Sequence, residues 1–375
     1  MSRSRIVFVL IIVAALAVVG ASQLVNRLPV TPTPTPRPPL QIEVAVTPLA
    51  YDWVSEQAAL FNQQRTQVEG QVIEVRVTSR DGIDIWQTGG VWSSANHPVA
   101  WIPEAAFVLD YASEAGVRYE VLTPSLASTS LIWGIFSDRA NAIGKTTDWD
   151  TIQPASVKGS WKDLGGQESW GFIKAAFPLP QRSTVGYGVL LSAAASYAKN
   201  GQLSPQNVSN RDFQTWLQPV ITAVPNFASL GQQPITVLAS RGVSVADFAL
   251  LPESDWLVYY DRINSRQPIH FAYPAYKLTF DMPFAVWSGA ETTSAERISA
   301  KQFADFLGQQ AAQKRSAAFG LRPSKLDLNS ADVSLFSAAT SAGIVLDTPP
   351  GTPINVPSRS SALGVLSWFR SIQSS

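Results

Sequence analysis

The chain has no cysteine and only two histidines, His97 and His270. The first absence excludes disulfides, thiol nucleophiles, iron–sulfur clusters and thiolate zinc sites. Two histidines so far apart, neither with a second at helical spacing, argue against a histidine metal centre. Charge is scarce too: only 15% of residues are charged, and 28 basic residues balance 28 acidic ones. A chain without net charge lacks the basic footprint of a nucleic-acid binder, so no nucleic-acid partner is expected. What the composition supplies is apolar surface. Hydrophobic residues make up 46% of the 375, enough to bury a core in one large or two medium domains. Such a chain is neither disordered nor a coiled coil. A binding protein, or an enzyme built on carboxylates, Ser or Tyr, remains.

Arg3 and Arg5 precede an uncharged apolar run over residues 6–20, and Ala21 and Ser22 follow. A basic start, an apolar run and a small-residue site form the pattern of a secretory signal. Continued to Val25, the run reaches the length that spans a bilayer, with Arg3 and Arg5 on the cytoplasmic side. Residues 1–25 are therefore expected to be a signal peptide or a membrane anchor, and both alternatives stand. No cysteine follows the run, which excludes lipid attachment. Next comes Thr31-Pro32-Thr33-Pro34-Thr35-Pro36-Arg37-Pro38-Pro39. Alternating proline favours an extended, semi-rigid polyproline spacer, so 26–40 reads as a stalk. Residues 326–375, rich in Ser, Pro and Thr, form a C-terminal extension with one short helix expected at 362–372. The sequence assigns it no task.

Between these ends, Ile42, Val44 and Val46 alternate with polar residues and predict a strand at 41–47. A helix at 51–64, a strand at 71–78, a strand at 98–102 and a helix at 105–114 follow. Strand and helix in this order imply parallel βαβ units and an α/β fold. Ligands of such sheets bind beyond the carboxyl ends of the strands. That rule puts Thr47, Tyr51, the turn Ser79-Arg80-Asp81-Gly82, Pro103 and Glu104 on the functional rim. Farther along, strands are expected at 130–136, 256–260, 269–272 and 283–287. Helices are expected at 187–199, 211–223, 245–251 and 295–313, with Gly320 as a stop and Pro323 beyond it.

This order resembles the bacterial extracellular solute-binding proteins, the two-lobed type II periplasmic-binding-protein class that feeds ABC importers. The residues carrying the resemblance are Asp52-Trp53, Phe61-Asn62, the 79–82 turn, Ala100-Trp101-Ile102-Pro103-Glu104 and the strand through Trp133. Trp161-Lys162-Asp163-Leu164, Ser183-Thr184-Val185-Gly186, Asp281-Met282-Pro283-Phe284-Ala285-Val286 and Phe319-Gly320-Leu321-Arg322-Pro323 complete it. The resemblance implies two lobes, each a mixed sheet flanked by helices, joined by hinge strands at 130–137 and 283–288. Lobe 1 is then 41–130 plus 286–325, and lobe 2 is 131–285 with the hinge strands. A small solute would lie in the cleft, closing lobes would bury it, and an ABC permease would receive it.

Ser183-Thr184-Val185-Gly186 heads a helix, where hydroxyls cap free N–H groups and those groups can hold an anion. An ordinary N-cap is the plain alternative. Arg182 beside it could add a charge. Asp81-Gly82 is normal turn chemistry, and in the resemblance it is a ligand loop. Glu104 suits a helix start through the macrodipole, with a ligand role as the alternative. Ser240, in Ser240-Arg241-Gly242, is a further cleft candidate. Trp53, Trp86, Trp101 and Trp133 fall near the rim or hinge, where they would stack on a sugar or amine or simply fill the cores. Helix starts without an obvious acidic cluster lean toward an anion or oxyanion, with a sugar also open. No cofactor, metal or catalytic constellation is expected. The function expected is an extracytoplasmic solute receptor for an ABC-type importer. The alternatives are a membrane-tethered surface sensing or interaction protein, and a hydrolase using Asp81 and Glu104.

Overall fold

The computed structural model describes residues 3–25, 37–88, 91–144, 146–231 and 233–373. Most of the expected stalk, residues 26–36, lies outside the described residues. The chain divides into two units, Met1–Pro38 and Pro39–Ser375. The first contains one helix, Arg3–Val25, whose side chains at 6–20 are exposed, Phe8, Leu10 and Leu16 among them. Among the described residues no helix is long and apolar enough to cross a membrane.

The second unit is built on two sheets. The first runs Gln67–Val68, Gln71–Ser79, Leu40–Val46, Ala100–Ile102, Phe284–Trp287, Tyr119–Thr123. Leu40–Val46 pairs in parallel with Gln71–Ser79 and with Ala100–Ile102, as the βαβ reading requires. Phe284–Trp287 is inserted antiparallel between Ala100–Ile102 and Tyr119–Thr123. Ile42, Val44, Ile73 and Val75 bury against the helices Tyr51–Gln63 and Ser294–Leu307. There Phe61 meets Phe303 and Phe306 edge-on, each at 5.4 Å.

The second sheet centres on Ala127–Phe136, which is almost wholly buried and is apolar from Leu131 onward, as suits a strand covered on both faces. It pairs antiparallel with Phe248–Pro252, Ile269–Ala272, Thr279–Phe280 and Arg322–Pro323, and Ala175–Ala176 lies beyond Phe248–Pro252. The expected connectors at 130–137 and 283–288 are thus interior strands of the two sheets. The crossings are Pro124-Ser125-Leu126 and Asp281-Met282-Pro283. The reason is chemical: an apolar run gains by full burial, whereas proline removes a ladder donor and suits a connector.

Two other expectations are exchanged. The helix expected at 245–251 is the strand Phe248–Pro252, and the strand expected at 256–260 belongs to the helix Glu253–Asn264. Phe248-Ala249-Leu250-Leu251 is a short apolar run whose periodicity cannot separate strand from helix. Trp256, Leu257 and Tyr260 are buried at helical spacing behind Glu253 and Asp255, which favour a helix start. The C-terminal extension packs into the second lobe's core through Phe336, Ile344, Leu366 and Phe369 and ends in the helix Arg359–Gln373.

Candidate functional site

The carboxyl ends of the three parallel strands face the second lobe. Thr47 follows the first strand, fully buried, and donates its hydroxyl to Glu104 Oε1 at 2.9 Å. The Gly82 N–H donates to both Glu104 oxygens at 3.1 Å. A Cβ on Gly82 would stand 2.6 Å from Glu104 Oε2 and collide with Val108, so the turn needs glycine for this approach. Glu104 does not open the following helix, which begins at Ala106 with its first N–H on Asp281 Oδ1 at 2.8 Å. Instead its carboxyl is buried, and burial together with the neighbouring Asp81 charge holds its pKa well above the usual carboxylate range.

Asp81 reaches across to the second lobe. Its Oδ1 accepts from Thr184 N at 3.0 Å and Thr184 Oγ1 at 2.6 Å, and from Ile83 N at 3.0 Å. Thr184 begins the helix Thr184–Ala198, capped by Ser183, whose hydroxyl accepts from Gly186 N at 3.5 Å. A helix start presents unpaired N–H groups and partial positive charge. The position that the sequence suggested for an anion therefore already holds the protein's own carboxylate. Burial raises the Asp81 pKa, and its three hydrogen bonds oppose that rise.

Beside this latch lies a cavity of about 480 Å³, within the range of small-ligand sites. Thr47, Ser79, Asp81 and Glu104 line it from the first lobe, and Ser183, Val185, Gln233 and Asp255 from the second. Among the described residues its lining holds three carboxylates and no Lys, Arg or His. The sequence shows no obvious acidic cluster for the cleft, and the fold brings Asp81, Glu104 and Asp255 onto one cavity. Asp255 is not among the expected rim residues because the sequence predicts a strand at 256–260 where the helix Glu253–Asn264 stands. The signal was present, since acidic residues ahead of a helically spaced apolar set mark a helix start. Among the described residues no group of three His, Asp or Glu is placed to hold a metal. Asp81 and Glu104, the pair for hydrolytic chemistry, belong to one lobe and do not face each other across the cleft.

Burial raises the Asp255 pKa to about 7. The folded chain therefore holds this proton more tightly than the unfolded chain, whose aspartates titrate near ~3.9. The group's cost to stability is fully present above pH 7 and is relieved as pH falls from there toward 4. Asp255→Asn is expected to unfold at a higher temperature than the parent at pH 8, with the gap closing by pH 5. Thermal unfolding of both proteins at the two pH values measures this. A variant less stable at pH 8 would mean that the carboxylate has a favourable partner.

The remaining candidates disperse. Tyr51 starts its helix half-buried and Pro103 is buried, and neither lines the cavity. Thr184 and Gly82 act through Asp81 and Glu104. Ser240 is exposed, donates to Val237 O at 2.9 Å, and lines a separate cavity of about 150 Å³. Arg182 is exposed on an adjoining cavity of about 760 Å³, outside the interlobe space. Trp53, Trp86, Trp101 and Trp133 are no more than 2% exposed and fill cores. Pro48, Leu49 and Thr236 also line the cavity without any sequence signal beyond their neighbours.

No family model matches the sequence, and no curated protein does. Solved structures do. The chain is similar to the maltose/maltodextrin-binding domain MalE from Bdellovibrio bacteriovorus bound to maltotriose, at TM-score 0.61 and 10% identity, over 89% of this chain and 94% of that one. It is similar to a periplasmic thiamin binding protein, at TM-score 0.57 and 14% identity, over 89% and 96%. Iron-bound HitA from Pseudomonas aeruginosa matches at TM-score 0.56 and 13% identity, over 89% and 99%. Two sheets flanked by helices, exchanging strands through paired crossings and enclosing a cavity, together with these likenesses, identify the body as having the two-lobed type II periplasmic-binding-protein fold.

Proposed function

We propose that this protein is an extracytoplasmic solute receptor: it captures a small solute between its lobes and hands it to an ABC-type importer, with no covalent step. The observation that supports this most is the cavity of about 480 Å³, walled by both lobes at the carboxyl ends of three parallel strands. Structures of the same fold carry the names of maltotriose, thiamin and iron ligands. The exposed apolar side chains of the helix Arg3–Val25 favour an export signal or anchor that leaves the body outside the cytoplasmic membrane.

The ligand class follows from the lining. Three carboxyl groups whose pKa values burial raises, with no basic side chain among the described lining residues, exchange hydrogen bonds with hydroxyls, and Asp255 adds a negative charge as it ionises near pH 7, so we assign the cavity a hydroxyl-rich neutral solute or, above that pH, a cationic amine. The test is thermal stabilisation and Trp fluorescence with spermidine, choline, glucose, maltose, sulfate and phosphate. Stabilisation by an amine or sugar is expected, and for an amine the affinity should rise between pH 6 and 8 as Asp255 ionises. Binding of sulfate or phosphate alone would overturn the ligand class, and silence across the panel would count against a solute receptor. The surface sensing or interaction protein is the second reading. It is favoured by the Asp81–Thr184 latch, which joins the lobes through the protein's own atoms.

A further inference from the structure

The C-terminal extension is fixed to the second lobe at two places. Near its middle, Arg322 donates to the carbonyls of Val345 at 2.6 Å and Asp347 at 2.8 Å, and Lys277 Nζ donates to Pro349 O at 2.6 Å. Near its end, Phe369 packs on Phe227 at 5.6 Å and Trp368 on Phe213 at 6.5 Å. Between these anchors the chain touches the first lobe. Tyr111 Oη donates to Pro357 O at 2.5 Å, and Arg359 Nε donates to Trp86 O at 2.7 Å.

Tyr111 and Trp86 lie on the helices Ala106–Glu114 and Ile83–Trp86, which follow strands of the first sheet. Their rings also meet Tyr187 of the second lobe: Trp86 at 5.4 Å between centroids, and Tyr111 through a 3.2 Å hydroxyl contact. Asp81 and Gly82 immediately precede Ile83–Trp86, so that helix connects the strap contact to the latch. Parting the lobes would strip a buried tyrosine hydroxyl of both partners and break the Arg359 bond, as well as the latch. Buried polar groups are costly to leave unpaired.

We propose that residues 357–359 are an interlobe strap, which holds the two lobes together independently of any solute and sets how readily the cavity opens. The proposal stands whether or not the solute reading does. Amide hydrogen exchange on the full chain tests it, comparing the parent with Tyr111→Phe/Arg359→Ala. Exchange at 83–86 and 184–187, on the two sides of the latch, is expected to speed up about tenfold or more. Amides of residues 248–251, deep in the second sheet, should be unchanged. Acceleration confined to 355–373 would reduce these contacts to local support for the last helix and overturn the proposal, as would no change at all. Should the double variant fail to fold, Arg359→Ala alone, which removes one bond from a half-buried side chain, carries the same readout.

Discussion

Arg322→Ala should lower the stability of the body by about 3–5 kcal/mol, the loss typical when one partner of a buried ion pair is removed. Arg322 donates Nε to Glu253 Oε2 and Nη2 to Glu253 Oε1, each at 2.7 Å, and Glu253 is fully buried. Alanine leaves that carboxylate with Tyr273 and no counter-charge. It also removes the donors to the carbonyls of Val345 and Asp347. Arg322 thus ties a second-sheet edge, the start of the helix Glu253–Asn264 and the C-terminal extension to one side chain. Urea unfolding followed by Trp fluorescence measures the loss. Replacing both partners, as Arg322→Met with Glu253→Gln, should cost less than the two single changes added, because no orphaned charge remains. A single-variant loss under about 1 kcal/mol would contradict the burial argument.

Gly186→Ala is expected to destabilise by about 1–3 kcal/mol, as overpacking does, although alanine ordinarily improves a helix. The added carbon would overlap the Pro178 carbonyl oxygen and stand 2.9 Å from Pro180 N, and these are backbone atoms that no rotamer can move aside. Relief has to come from displacing 178–180 or the start of the helix Thr184–Ala198. Either shift moves Pro178, Ser183 and Val185 in the cavity wall and Thr184 under Asp81. Gly364→Ala is the contrast. It lies in the helix Arg359–Gln373 with nothing within 4 Å of a new Cβ, so there alanine should stabilise by up to ~1 kcal/mol. Opposite signs for one chemical change, measured by the same unfolding experiment, separate close backbone approach from helix propensity.

The α/β order of the first lobe was legible because its signal is local. Ile42, Val44 and Val46 alternate, and Tyr51–Gln63 follows Pro48 with its apolar face at helical spacing. Thr47, Asp81 and Glu104 were legible for a related reason, since the strand-end rule needs only the element order, and Ser183 because a hydroxyl pair heads an apolar helix. Asp255 was not, because its role depends on a helix that a buried apolar strand, Phe248–Pro252, disguised. The sign of the cavity was illegible for a different reason. Three acidic residues spread along the sequence form a cluster only once two lobes meet, and pairwise geometry of that kind leaves no local pattern. The same holds for Arg359, an exposed-looking arginine in a Ser-rich tail whose partner is the backbone of Trp86.

The insertion of Phe284–Trp287 between Ala100–Ile102 and Tyr119–Thr123 also constrains how the molecule is born. A chain emerges from the ribosome N-terminus first, so Tyr119–Thr123 appears long before the strand that attaches it. At ~5–20 residues per second the first sheet waits on the order of ten seconds with an open edge on Ala100–Ile102. During that interval the second sheet can assemble most of its strands, yet Arg322–Pro323 comes later still. Until Phe284–Trp287 arrives, the nascent first lobe carries an unpaired strand edge, the feature through which incomplete sheets associate with one another.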